Sequence, residues 1–225
     1  MTSGEAVLRI GPVGGSPAVL FVPPLFEEAN RTRRTIVLTM RALAAQGIAS
    51  LLPDLPGQND SLVPLVAVDL DRWRAALGAA VADHAGPTVI ASVRGGALLD
   101  AVPGPIGWWR LAEVSGASLL RPMLRSRIAS DRESGLDSSM DQLLAAGAAA
   151  PLELAGNRLS PAMLAQLQAA EPANVVPLRR VTLGSGDAAI AGSPLWLRAE
   201  PGEDSAMASA MAADIANWVG QCANR

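Results

Sequence analysis

Residues 88–100 read TVIASVRGGALLD, and the architecture of the chain can be worked out from them. An apolar run of strand length is followed at once by a glycine pair and then by a segment of helical pattern, which predicts a buried strand, a sharp turn and the start of a helix. Arg94 stands at the apex of this turn. A guanidinium stays protonated at physiological pH and only donates hydrogen bonds, so this apex can hold an anion but cannot attack a carbonyl carbon.

This turn resembles the nucleophile elbow of α/β-hydrolases, in which a G-x-S-x-G motif raises a serine above a parallel sheet. The corresponding residues here are Ser92-Val93-Arg94-Gly95-Gly96, with arginine at the nucleophile position. A serine or cysteine nucleophile usually needs an imidazole base. The single histidine, His84, precedes the strand that leads into the turn, so we expect it at a helix end on the side away from the elbow. A conventional Ser-His-Asp triad is therefore excluded.

Apolar runs of strand length alternate with helical patterns, which predicts an α/β fold, a mostly parallel sheet with helices on both faces. Strands are predicted at about 18–22, 48–52, 88–92, 108–114, 175–183 and 194–199, and helices at 33–46, 69–83, from 96 onward, and 204–219. The alternation stops between about 115 and 172, where we expect a small, mainly helical cap insertion containing a hairpin around Gly156-Asn157. The length of 225 residues fits a single domain, 1–225.

Composition narrows the possible partners. The net charge of −3 argues against a nucleic-acid partner, since such proteins need a concentrated basic face. The densest basic cluster, RTRR at 31–34, predicts a solvated helical turn or an anion contact. Every apolar stretch is interrupted before it reaches the roughly 20 residues needed to span a membrane. We expect no membrane span and, without a secretory signal pattern, a cytoplasmic protein.

Cofactor and metal signals are missing from the sequence. It contains no metal-ligand spacing, phosphate-binding loop or dinucleotide fingerprint, so we expect no metal and no cofactor. The single cysteine, Cys222, cannot form an internal disulfide and is expected to be a frayed terminal residue.

Several blocks of sequence resemble the α/β-hydrolase-like family called exosortase A system-associated hydrolase 2. They are FVPPLFEEANRTRR at 21–34, PDLPGQNDS at 53–61, SVRGGALL at 92–99, EVSG at 113–116 and ELAGNRLSPAML at 153–164. The resemblance covers most of the chain and implies an α/β-hydrolase fold and a place in a bacterial protein-sorting or exopolysaccharide system. It also implies that arginine at the elbow is inherited, because the family often has G-x-R-x-G there, with Ser92 here replacing the first glycine.

The elbow can bind an anion in principle. Backbone N–H groups from the loop at Leu25-Phe26 and from Gly95, with the Arg94 guanidinium between them, would form a cradle for a carboxylate or phosphate. The alternative is that Arg94 pairs inside the protein and closes a vestigial pocket. The candidate carboxylate partners are Glu27, Glu28, Asp54 and Glu113.

Two functions remain open from the sequence. In the first, the protein is non-catalytic and binds a small anionic ligand or a protein partner of an exopolysaccharide or protein-sorting system. In the second, it hydrolyses an ester or acyl group, with Arg94 as substrate anchor and Glu27 or Glu28 activating a water molecule as general base. A carboxylate pair at this position more commonly forms ion pairs and helix caps.

Overall fold

The computed structural model describes residues 4–14 and 17–225. Its strands are β1 (Val7–Ile10), β2 (Ala18–Val22), β3 (Ser50–Pro53), β4 (Thr88–Val93), β5 (Gly107–Leu111), β6 (Leu152–Leu154), β7 (Asn157–Leu159), β8 (Leu178–Leu183) and β9 (Ala189–Ile190). Its helices are α1 (Glu27–Ala45), α2 (Leu70–Ala82), α3 (Gly116–Glu133), α4 (Met140–Ala149), α5 (Pro161–Ala169) and α6 (Ser205–Ala223).

Seven of these strands form one sheet in the order β1-β3-β2-β4-β5-β8-β9. All neighbours run parallel except β1, which pairs antiparallel with β3 at one edge. The predicted α/β class is confirmed. Strand β1 was not predicted, because it is a half-exposed edge strand of four residues without a continuous apolar run.

Helices cover both faces of the sheet, as predicted. Successive side chains of a strand point to opposite faces, and β2 shows this clearly. Leu20 and Val22 belong to a core shared with α2 and with α3 to α5, whereas Val19 and Phe21 belong to a core shared with α1 and α6. Because every residue of β2 is buried, the chain that leaves its carboxyl end starts from a fixed position.

Helix α1 begins at Glu27, six residues before the predicted start at 33. The prediction followed aliphatic periodicity, but threonines continue the buried face toward the amino end. Thr32 and Thr39 are buried, and each hydroxyl donates to a carbonyl one turn earlier, Thr32 to that of Glu28 and Thr39 to that of Thr35. Satisfied in this way, a threonine hydroxyl can face a core without losing a hydrogen bond.

The strand predicted at 194–199 is wrong. Residues Leu195–Leu197 form one turn of 3₁₀ helix, and the last strand of the sheet is β9, a few residues earlier. The helix predicted to open at residue 96 is also wrong, since Arg94–Leu98 is a single 3₁₀ turn and no α-helix joins β4 to β5. Pro103 and Pro105 in that connection disfavour a helix.

Residues 115–172 contain α3, α4, a β6–β7 hairpin and α5. The hairpin turn is Ala155-Gly156, one residue before the predicted Gly156-Asn157, and both turn residues have positive φ (47° and 74°) as a tight two-residue hairpin requires. Ser160 caps α5 by accepting a hydrogen bond from the Met163 N–H, followed by a proline in the first turn.

Cys222 is not a frayed terminal residue, because α6 extends to Ala223. Its side chain is buried against Gly107 at the start of β5, where an added Cβ would lie 2.4 Å from the Cys222 sulfur. Burial raises the pKa of the Cys222 thiol, with Arg225 opposing the shift. Among the described residues, no helix is long and apolar enough to cross a membrane.

Candidate functional site

The elbow has the strand and the sharp turn that its sequence predicts, but not the helix after them. Arg94 follows directly on β4 with φ of 53°, a backbone conformation that costs energy for any residue but glycine. Gly96 allows the turn to lie close to the end of β2. A Cβ added to Gly96 would lie 2.5 Å from the Val22 carbonyl oxygen and 2.7 Å from that of Pro23. The turn is therefore pressed against the end of β2, and the Arg94 side chain stands where a nucleophile would stand.

Arg94 is bound inside the protein. Its Nε and Nη2 donate to the two carboxylate oxygens of Glu28 at 3.1 and 3.0 Å, and Nη1 lies 3.5 Å from the Ala112 carbonyl oxygen. The Arg94 and Glu28 side chains are only 16% and 15% exposed. Of the two arrangements that the sequence left open, the structure contains the internal ion pair, with Glu28 as the partner.

Trp196 completes this cluster, and sequence reasoning missed it. The guanidinium carbon of Arg94 lies 4.8 Å from the centre of the Trp196 ring, a cation–π contact. Trp196 belongs to the 3₁₀ turn between β9 and α6, in the last part of the chain, where α/β-hydrolases carry their histidine. Because residues 194–199 (PLWLRA) were assigned to a strand of the sheet, the contact between Trp196 and Arg94 was not predicted. Arg31 fixes the turn by donating from Nη1 to the Trp196 carbonyl oxygen at 2.9 Å.

The predicted oxyanion-binding elements lie under apolar side chains. Leu25 and Phe26 follow β2, as expected, and both are buried. A Cβ added to Gly95 would lie 2.4 Å from a methyl carbon of Leu119 in α3 and 3.3 Å from Leu25, so these leucines cover the elbow. The turn after Arg94 is also too short to supply the helix N-terminus on which the anion cradle partly depended.

The RTRR cluster is a partly solvated turn of α1, as one of the two predictions had it, and each of its arginines lies near a carboxylate. Arg31 approaches Glu27 at 4.0 Å, Arg33 pairs with Asp54 at 3.3 Å, and Arg34 pairs with Glu203. Glu27 is half-exposed and lies near Arg31, whereas Glu28 binds Arg94. The two neighbouring glutamates therefore separate as expected, one to the elbow and one to the arginine cluster.

A charged network lies beneath the elbow, and its central pair, Arg110 and Asp100, is fully buried. Arg110 donates to both oxygens of Asp100 at 2.9 and 2.7 Å and to Glu113 at 2.8 Å, and Glu113 also accepts from Arg180 at 2.5 Å. Ser92 donates to Asp100 at 2.8 Å, so this hydroxyl is committed to structure. Burial raises the pKa of Asp100, with Arg110 and Ser92 opposing the shift. Burial would also raise the pKa of Glu113, but hydrogen bonds from Arg180 and Arg110 hold it below its usual range.

A cavity of about 190 Å³ lies beside the elbow, between the start of α1 and α3. Its walls are mainly apolar, and Leu197 at the rim is 71% exposed. The polar lining groups are Glu27, Glu28, Arg31 and Ser126. The apolar lining side chains are Leu25, Phe26, Leu119, Pro122, Met123, Ala155, Trp196 and Leu197. We call this space the apolar cavity.

The remaining candidates lie elsewhere or serve the fold. His84 follows α2 and lines a separate cavity of about 460 Å³ with Arg9 and Pro87. This cavity lies at the amino end of β4, whereas the elbow follows its carboxyl end. Burial, and then the charge of Arg9, lower the pKa of His84. Ser115 caps α3 by accepting from the Ser118 N–H at 3.2 Å. In the part of the chain that the structure describes, no group of three or more His, Cys, Asp or Glu could hold a metal.

Comparison with known proteins agrees with this architecture. No model of a protein family matches the chain, and no curated protein matches it in sequence. Among solved structures, alpha/beta hydrolase domain-containing protein 10 from mouse superposes with a TM-score of 0.55 at 13% identity, over 96% of this chain and 94% of that one. Est1E from Butyrivibrio proteoclasticus, solved with ferulic acid bound, gives a TM-score of 0.51 at 16% identity, over 73% and 66%. The chain therefore has the α/β-hydrolase fold, with an arginine at the apex of its elbow.

Proposed function

We propose that this protein is a non-catalytic α/β-hydrolase-fold protein that acts by binding. The observation that carries the proposal is the bidentate pair between Arg94 and Glu28 at the elbow. A guanidinium has no lone pair available to attack a substrate and does not lose its proton in proteins. Trp196 packs against the guanidinium, so the position that catalyses in a hydrolase is here occupied by a largely buried ion pair.

The contacts give less support to a hydrolase that uses a carboxylate-activated water. A general base must reach the proton that it takes, at about 2.6–3.2 Å between heavy atoms. Both carboxylate oxygens of Glu28 already accept hydrogen bonds from Arg94, and taking a proton would weaken that pair. Glu27 is accessible at the apolar cavity, but its charged neighbour there is Arg31, 4.0 Å away, so this carboxylate too lies beside a cation.

The ligand or partner is the second part of the proposal. The apolar cavity offers a place for a small ligand or for a side chain of a partner protein. The resemblance to exosortase-associated proteins supports a partner within a bacterial exopolysaccharide or protein-sorting system. Deletion of the gene in the organism that encodes it should then reduce secreted polysaccharide or sorted protein, and an Arg94→Gln copy would test whether the elbow pair contributes.

Turnover is the direct test of the non-catalytic role. We would label the protein with a fluorophosphonate and measure hydrolysis of short- and long-chain p-nitrophenyl esters by wild type, Glu27→Gln and Glu28→Gln. A matched control is Glu133→Gln, an exposed glutamate at the end of α3. We expect no labelling and no turnover above buffer in any of them. Turnover that Glu27→Gln or Glu28→Gln abolishes and Glu133→Gln retains would establish a hydrolase instead.

Anion binding at Arg94 requires displacement of Glu28. Wild type should therefore gain little thermal stability from acetate or phosphate. Glu28→Gln removes the competing charge and should allow those anions to raise the melting temperature with a saturable concentration dependence. An Arg94→Gln/Glu28→Gln double variant is the control and should show no such gain. A saturable shift of wild type that Arg94→Gln alone abolishes would show that the anion cradle operates with Glu28 in place.

A further inference from the structure

We infer that the apolar cavity and a neighbouring polar cleft together bind an amphiphilic small molecule with a short apolar tail and an uncharged, hydroxyl-rich head. The polar cleft has a volume of about 420 Å³. It is lined by Ser126, Arg127, Ser130, Asp131, Ser134, Leu136, Glu153, Ala155 and Gly156, and we call it the serine cleft. The inference rests on the proposed binding function and assigns the ligand class that the function lacks.

The two spaces are neighbours. Ser126 and Ala155 line both of them, so the apolar cavity and the serine cleft meet at two small side chains. Ser126 lies on α3 and Ala155 in the turn of the β6–β7 hairpin. A ligand seated in the apolar cavity can therefore extend over these residues into the cleft without displacing a large group.

The apolar cavity sets the size of the tail. At about 30 Å³ per heavy atom, the share of one water molecule in the liquid, 190 Å³ holds about six non-hydrogen atoms. Leu119, Met123 and Trp196 are buried side chains of its wall. The exposed Leu197 at its rim gives the tail further apolar surface to cover. A six-carbon chain or a single ring matches this space.

The serine cleft sets the chemistry of the head. Ser126 and Ser130 are spaced four residues apart and so lie on one face of α3, and Ser134 follows directly after the last residue of that helix. The Ser134 hydroxyl donates to the Ser130 carbonyl, whereas those of Ser126 and Ser130 make no hydrogen bond within the described parts of the chain. Hydroxyl groups both donate and accept, which suits a ligand that presents several hydroxyls of its own.

Charge in the serine cleft disfavours an anionic head. Arg127 is committed, since its Nε donates to Asp131 at 2.7 Å and its Nη1 to the Glu153 carbonyl oxygen at 3.0 Å. Asp131 accepts in addition from Ser138 at 2.6 Å. The exposed Glu153 carboxylate then adds a negative charge that no arginine of the cleft neutralises. An uncharged polyol head satisfies the serines without this repulsion.

Alkyl probes with a common six-carbon tail test the inference by isothermal titration calorimetry. The probes are 1-hexanol for the tail alone, glucose for the head alone, hexyl glucoside below its micellar concentration, and hexanoate for an anionic head. We expect hexyl glucoside to bind at least tenfold more tightly than hexanol, and hexanoate to bind more weakly than hexanol. Glucose alone should give no measurable heat of binding.

Variants locate the two halves of the ligand. Ser130→Ala/Ser134→Ala should lower the affinity for hexyl glucoside to that for hexanol and leave hexanol binding unchanged. Ser126→Trp should weaken hexyl glucoside at least tenfold by obstructing the boundary between the two spaces. The control is Ser209→Trp, an exposed helical serine of α6, which should change neither affinity.

The outcomes separate this inference from the function on which it rests. If neither hexanol nor hexyl glucoside binds, this inference is overturned, and the proposed function is then judged by the turnover assay alone. If hexanol binds but the glucose head adds nothing, or if the serine variants have no effect, the ligand class is wrong while the binding function stands. Preference for hexanoate over hexyl glucoside would overturn the uncharged head.

Discussion

Replacing Arg110 by methionine should destabilise the fold severely, because it leaves a carboxylate buried without a cation. The Arg110 and Asp100 side chains are both fully buried. Arg110 makes two hydrogen bonds to Asp100, one to Glu113 and one to the Ala173 carbonyl oxygen, with donor–acceptor distances of 2.7 to 2.9 Å. Breaking a buried ion pair by removing one partner costs about 3–5 kcal/mol. For a domain of this length, that corresponds to a fall in melting temperature of about 6–20 °C.

The free energy of unfolding is best measured by urea denaturation at pH 7, supported by thermal melting. Arg34→Met is a suitable control, since Arg34 also pairs with a carboxylate but its side chain is 72% exposed. An exposed ion pair contributes about 0–1 kcal/mol, so the control should change stability by no more than that. Arg110→Met/Asp100→Asn removes both buried charges and should be more stable than Arg110→Met alone.

Two results would refute this reasoning. The first is a loss of less than about 1 kcal/mol in the free energy of unfolding for Arg110→Met, as expected for the exposed control. Water or a neighbouring group would then be stabilising the Asp100 charge, and the pair would not be an ion pair shielded from water. If the double variant were as unstable as the single one, the loss would come from packing of the long side chain and not from the unpaired charge.

Other predictions concern packing, pH and reactivity. Gly96→Ala should destabilise the protein by about 1–3 kcal/mol, because the added Cβ would press on two backbone carbonyl oxygens. Gly220→Ala is the control, since Gly220 on α6 has open space around it and alanine there should stabilise the helix slightly. The free energy of unfolding of each variant, measured by denaturation, tests both expectations. Burial would raise the pKa of Asp214, but hydrogen bonds from Arg179 and Trp109 lower it. The stability that this lowered pKa provides should be present above the ordinary carboxyl pKa, about 4, and be lost as pH falls through the folded value, and Asp214→Asn should flatten this part of the stability–pH profile. Cys222 should react with Ellman's reagent only after denaturation, and fast reaction of native protein would contradict its burial.

The elbow differs from a catalytic site in three linked places. Arg94 stands at the nucleophile position, Glu28 from the start of α1 binds it, and Trp196 from the connection after β9 covers it. The first two depend on each other, since an unpaired arginine at 16% exposure would be costly. We therefore interpret the Arg94–Glu28 pair as structural. Glu28→Gln removes the charge that Arg94 binds, which is why that variant is used to test anion binding at the elbow.

The sequence predicted the parts of the fold that depend on local pattern. Strand β2 was predicted at its observed bounds, and α2 and α6 were predicted within a few residues, because their buried positions are aliphatic or aromatic at regular spacing. The prediction failed where polar residues form the buried face of a helix, and where a strand is too short to show a pattern. The threonines of α1 and the two-residue strand β9 are examples.

At the candidate site, the sequence by itself determined the chemistry of single residues, and the tertiary structure decided their partners. An arginine at the elbow and a single histidine, ten positions before it and ahead of β4, predict that no conventional Ser-His-Asp triad forms. Four carboxylates remained possible partners of Arg94, however, and nothing in local pattern distinguishes them. The choice of Glu28 and the stacking of Trp196 required the packing of α1 and the β9–α6 connection around the end of β4, because contacts between residues 66 and 102 positions apart are set by how the whole chain packs.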